Sequence, residues 1–106
     1  MSADRKPTLF VTVRIKPGSQ DAVLAALAPA VVASNLEPGC LRYEAFSDEV
    51  NDLELVVVQQ WASEQAHEEH RRAPHEKELM DQLGPHLAGP PAVRQVRQVA
   101  LAASPG

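Results

Sequence analysis

One cysteine, Cys40, stands in a chain of 106 residues, so an internal disulfide is excluded and a reducing compartment suits the protein. Aromatic residues are scarce too, at 4%, which argues against a stacking platform for single-stranded nucleic acid. There is no cationic surplus: the formal net charge is -4, with lysines and arginines dispersed along the chain. Nucleic acid and anionic membrane are therefore not expected partners. No stretch approaches the ~18 apolar residues of a membrane span, and MSADRKPTLF lacks the apolar core of a signal peptide. A cytoplasmic location is expected, and heavy use of Ala, Pro and Arg suggests a bacterial source. A glycine-rich phosphate loop, a nucleophile elbow and a Ser–His–Asp set are also missing.

What is present suffices for one globular domain, with 44% apolar and 23% charged residues. A domain this small buries a limited core, so pairing with a second copy is a natural way to cover apolar surface. Residues 1–7 read as a polar, frayed leader, 8–102 as the domain and 103–106 as a tail.

Alternation organises the first segment. Leu9, Val11, Val13 and Ile15 interleave with Phe10, Thr12 and Arg14, a period of two that predicts a strand ended by Lys16-Pro17-Gly18. Ser19 is the expected N-cap of a helix whose buried stripe is Val23, Leu27, Ala30, Val31 and Ser34. Pro29 lies inside that stripe and should kink or split the helix. A second strand is expected over 40–46, with Tyr43 on one side and Arg42 and Glu44 on the other. The run 53–61 is apolar on both faces at its centre, as a central strand should be. Ser63 caps a short helix over about 64–72, and Pro74 suits the first turn of another, closed by Gly84-Pro85. After Gly89-Pro90-Pro91, the valines of 92–101 recur every three residues; β-branching favours a strand there, with a bulge to absorb the odd period. The order β-α-β-β-α-β, with its second helical region in two pieces, is the α+β, ferredoxin-like arrangement built on a four-stranded antiparallel sheet.

Several short motifs occur within this frame. The run Glu37-Pro38-Gly39-Cys40-Leu41-Arg42-Tyr43-Glu44, then Gln60-Trp61-Ala62-Ser63, then His70, then Pro74-His75, and finally Gly89-Pro90-Pro91 resemble signatures of the antibiotic-biosynthesis-monooxygenase superfamily in matching order. The resemblance covers roughly residues 9–101. It implies a dimeric α+β barrel, a homodimer formed through the open sheet face, and a small-molecule pocket between sheet and helices in each subunit. Members of the superfamily include cofactor-independent oxygenases of polyketide quinols, haem-degrading enzymes and an isomerase of a phosphorylated signal. The haem-degrading pattern does not fit. Its first-strand Asn is missing, its helix Trp position holds His70, and its proximal His position falls near Met80.

The candidate residues follow. His70 is expected as a general base, the alternative being a structural histidine that ties the broken helix to the sheet. His75 sits at a helix start, where the dipole disfavours a charged imidazole, or else it satisfies a backbone group at the junction. Glu44 and Arg42 share a strand face; they form an interface ion pair or, alternatively, enter the pocket as proton acceptor and substrate anchor. Tyr43 and Trp61 are expected as pocket walls or core, and Gln59 stands where relatives often carry Glu. His67 and His70 in HEEH are not at the H-E-x-x-H spacing, and no third ligand is evident, so no metal and no cofactor are expected. The resulting expectation is a cofactor-free monooxygenase of a hydroxylated aromatic or quinol. Isomerisation or proton transfer on a small oxygenated metabolite, phosphorylated or not, and a non-catalytic ligand-binding dimer are the alternatives.

Overall fold

The alternating segments pair into one antiparallel sheet in the computed structural model, which describes residues 6–99. Its strands β1 (Thr8–Arg14), β2 (Cys40–Ser47), β3 (Glu54–Trp61) and β4 (Ala92–Val96) lie in the order β2-β3-β1-β4. The helices are α1 (Gln20–Asn35), α2 (Glu64–Arg71) and α3 (Pro74–Leu83), and a single 3-10 turn, Gly84–His86, follows α3. This is the expected ferredoxin-like topology.

Register fixes which side chains meet the helices. Val11 stands opposite both Val57 and Val93, and Tyr43 stands opposite Gln59. That face carries Leu9, Val13, Tyr43, Leu55, Val57 and Trp61, which pack with Val23, Leu27 and Ala30 of α1 and Leu79 and Leu83 of α3. Full burial of one such aliphatic side chain is worth about 1.5–3 kcal/mol. Asn35 ties the end of α1 to β2 by donating through Nδ2 to the Tyr43 carbonyl at 2.9 Å. Among the described residues the opposite face has no helix over it, and Phe10 is 41% and Phe46 47% exposed there.

Four local expectations are corrected. First, α1 runs uninterrupted through Pro29, which lies on its exposed side, where the missing N–H removes a single bond bordering solvent. Second, Ser19 is the N-cap residue of α1 as expected, but its side chain makes no capping bond. Its hydroxyl instead faces His86 Nδ1 at 3.0 Å, and Gln20 Oε1 accepts from the Gly18 amide. Third, β4 ends at Val96 and pairs with β1 in unbroken register; the irregularity lies in β2, between Cys40 and Arg42. The remainder of the expected last strand from residue 100, the leader up to residue 5 and the tail lie outside the described residues. Fourth, Pro7 is not frayed: it is buried, and its carbonyl accepts from the Trp61 amide at 3.0 Å.

Gly39 shows how closely α2 lies against the entry to β2. Its carbonyl accepts from Ala62 N at 2.8 Å, and a Cβ placed on it would collide with Ala66 Cβ of α2. Gly39→Ala should therefore lose about 1–3 kcal/mol of unfolding free energy in urea melts. Gly84→Ala, with nothing within 4 Å of the new methyl, should be neutral or gain up to about 1 kcal/mol. Equal losses at both positions would rule out close approach as the cause.

Candidate functional site

Between the covered sheet face and the helices lies a cavity of about 360 Å³. Leu9, Val11 and Val13 of β1 form one wall, and Leu79, Met80 and Leu83 of α3 form another. Period two on the strand and period three-to-four on the helix bring these apolar stripes face to face. Tyr43, Gln59, His67, His70, Arg71 and Glu76 supply most of its polar lining, with Gln95 of β4. The volume suits a small organic molecule.

His70 reaches this cavity because α2 stops one residue later. Its position in the last turn points the ring inward, where it is 1% exposed. Trp61 packs against it at 4.5 Å between ring centroids, and Tyr43 lies at 5.6 Å. Its Nδ1 is 2.8 Å from Glu37 Oε2, in the turn between α1 and β2. Its Nε2 is 3.3 Å from Glu76 Oε1 but not aligned for a hydrogen bond, so this buried nitrogen has no hydrogen-bond partner among the described residues. Pro74 starts α3 and places His75 in the first turn, where His75 Nε2 stands 2.7 Å from the same Glu37 Oε2.

Proton affinities follow from these neighbours. Burial alone would lower the pKa of His70, but the carboxylates of Glu76 and Glu37 outweigh it and the net shift is upward. His67 moves the other way: burial lowers it first, with Arg71 and His70 adding repulsion. Burial also raises the Tyr43 phenol, with the Glu76 charge acting in the same sense, so Tyr43 stays a neutral hydroxyl.

The sequence candidates are thus divided. His70 and Tyr43 line the cavity, and His75 supports His70 through Glu37. Trp61 does not line it; with 0% exposure it backs His70 and His67, donating Nε1–H to Gln59 Oε1 at 3.1 Å. Arg42 and Glu44 also stand away from it. Because Tyr43 points toward the helices, its neighbours along the strand must point to the open face, where Arg42 Nε donates to Glu44 Oε1 at 2.6 Å. Their substrate-anchor and proton-acceptor readings therefore lose their geometric basis. Glu37 and Glu76 are the residues that sequence reasoning did not single out. Glu37 was visible as the start of the EPGC motif, but no spacing links it to residues 33 and 38 positions later.

The sheet order, the split second helical region and the cavity between them define a ferredoxin-like α+β fold with room for a small molecule. Residues 8–82, more than half of the chain, match the family described as antibiotic biosynthesis monooxygenase, and the chain belongs to that family. An uncharacterised protein of Synechocystis sp. is 25% identical over 98 residues; the match covers 92% of this chain but only 66% of that relative's length. Among solved structures, Rv0793 of Mycobacterium tuberculosis is 26% identical with a TM-score of 0.85, over 92% of this chain and 99% of the other. PA3566 of Pseudomonas aeruginosa is 24% identical with a TM-score of 0.86, over 94% and 100%.

The histidine shifts have opposite consequences for stability. His70, raised, contributes stability that is full below the unfolded value of 6.5 and lost as pH rises through its folded value. His67, lowered, contributes stability that is present above 6.5 and lost as pH falls through its folded value. Glu37→Gln should cost about 1.5–3 kcal/mol at pH 6, the worth of a hydrogen bond to a charged group, and progressively less toward pH 9. Urea melts across that range check it; a deficit that grew with pH would contradict the charged His70–Glu37 contact.

Proposed function

We propose that this protein is a cofactor-independent monooxygenase acting on a hydroxylated aromatic or quinol. The supporting observation is the cavity itself: apolar walls with a buried imidazole and a carboxylate, His70 and Glu76, side by side on its lining. A quinol bound there would lose a hydroxyl proton to this pair. The resulting anion is electron-rich enough to be oxidised by O₂ directly. One oxygen atom is retained on the ring as the quinol becomes a hydroxyquinone, and the other leaves as water. The substrate supplies the electrons, so the protein contributes a base, hydrogen bonds to the anion and a site that excludes water.

In this reading His70 is the proton acceptor, and the Glu76 carboxylate 3.3 Å from its Nε2 stabilises the imidazolium that forms. Glu37 and His75 orient the far side of the ring, and Tyr43 offers a neutral hydroxyl. A phosphorylated substrate is less well served. Arg71 is the only cationic side chain on the lining among the described residues, and it is paired with Glu68. Proton transfer without oxygen remains the alternative that oxygen consumption distinguishes.

Oxygen uptake by chelator-treated protein with anthrone- and naphthoquinol-type substrates should exceed autoxidation. Removal of a general base typically costs 10²–10⁴-fold, so His70→Ala should fall to background and Glu76→Gln should lose about tenfold or more. Wild-type uptake no faster than background with every substrate would refute the oxygenase reading.

The open sheet face supports a homodimer. Phe10, Phe46, Val56 and Val58 share it with the Arg42–Glu44 pair, and two such faces laid together would remove the phenylalanines from water. Sedimentation at about 20 μM should give a dimer for the wild type. Phe46→Glu should shift it toward monomer with the fold retained by circular dichroism, and a monomeric wild type would exclude this assembly.

A further inference from the structure

Glu37, His70 and His75 come from three separate segments, yet one ligand atom from each lies within 4.8 Å of the other two. The atoms are Glu37 Oε2, His70 Nδ1 and His75 Nε2, with the carboxylate oxygen 2.8 and 2.7 Å from the two nitrogens. Ligands about 2.0–2.1 Å from a tetrahedral zinc ion stand about 3.3 Å apart. A retreat of the Glu37 carboxylate by about half an ångström, with His75 Nε2, now within 4.8 Å of His70 Nδ1, brought to a similar spacing, would open the position for an ion. Its side chain is 16% exposed and that of His75 26%, which leaves room for the adjustment and for a water molecule as fourth ligand.

A second observation concerns the far side of His70. Metal-bound histidines commonly donate their other ring N–H to a carboxylate, which fixes the tautomer. Here Nε2 is buried without a hydrogen-bond partner among the described residues, and the Glu76 carboxylate stands 3.3 Å away. An ion on Nδ1 would place the remaining proton on Nε2, facing that acceptor. The ring needs no reorientation, because Trp61 and Tyr43 already hold it. The nearest cations are engaged elsewhere: Arg71 and Arg72 with Glu68, Lys77 with Asp81. The two carboxylates, Glu37 and Glu76, that draw positive charge to His70 would equally draw a dication.

We propose that Glu37, His70 and His75 bind a divalent transition cation of the zinc class, with Glu76 as the outer carboxylate that orients His70. Two imidazoles and a carboxylate suit zinc, cobalt or nickel, and not magnesium or calcium, which prefer an all-oxygen shell. Neither Glu37 nor His75 lines the cavity, so the ion lies behind His70 and does not meet the substrate. His67 is not among the three residues whose ligand atoms converge, and its ring lies against Trp61 instead. One consequence rests on the oxygenase reading above: with Nδ1 metallated and Nε2 protonated, His70 cannot accept a proton, and zinc is an inhibitor.

The test uses the full chain after chelator treatment. Cobalt(II) should give a visible spectrum with nitrogen and oxygen ligation, and zinc should bind one ion per chain by calorimetry with a Kd on the order of micromolar or tighter. Zinc should also raise the melting temperature in a concentration-dependent way. Glu37→Gln and His75→Ala should each weaken binding at least tenfold, and Glu76→Gln by about 10–100-fold. His67→Ala should leave the affinity unchanged, and magnesium should not compete. No zinc binding at up to about 1 mM would overturn the site, as would unchanged affinity in folded Glu37→Gln and His75→Ala proteins. Binding and turnover fail separately: zinc bound by a protein that oxidises no quinol keeps the cation site and removes the oxygenase. Turnover insensitive to zinc in a protein that binds none does the reverse.

Discussion

Strand β3 has to be apolar on both sides, and the rest of the molecule is arranged around that requirement. Val57 and Leu55 face the helices while Val56 and Val58 face away, so one face needs α1 and α3 and the other needs a different cover. The helices do not fill their side completely. Between β1 and α3 the cavity remains, and several of its polar residues come from the ends of elements: the last turn of α2, the first turn of α3 and the end of β3. Core and site are therefore two parts of one packing solution.

Much of this was legible in the sequence because it depends on periodicity and punctuation. Alternation located β1, a run apolar on both faces located β3, Ser63 and Pro74 marked the starts of α2 and α3, and the motif order pointed to the family. Pro29 misled because its cost depends on whether the freed carbonyl borders solvent, which the residue type does not reveal. The valine triplet over 92–101 misled differently. It suggested a bulge in the last strand, whereas the irregular pairing occurs at Cys40–Arg42, where the chain turns sharply out of Gly39.

The site was half legible. His70 and Tyr43 could be assigned to the helix side from helix phase and strand alternation, and the same alternation, followed strictly, sends Arg42 and Glu44 to the other face. Glu37 could not be found this way. Its contact with His70 depends on α1 and α2 ending at the same edge of the sheet, a tertiary fact with no local pattern. One carboxylate oxygen shared by two imidazoles joins the α1–β2 turn to the α2–α3 junction. The arrangement holds a proton, and it has the atoms to hold something heavier.

Trp61 gives this arrangement an optical readout. It is the only tryptophan, fully enclosed, and within ring contact of both His70 and His67. An imidazolium beside an indole quenches its fluorescence and a neutral imidazole does so far less. The emission intensity of this single residue therefore reports the charge state of the two histidines, with no label introduced and no substrate known.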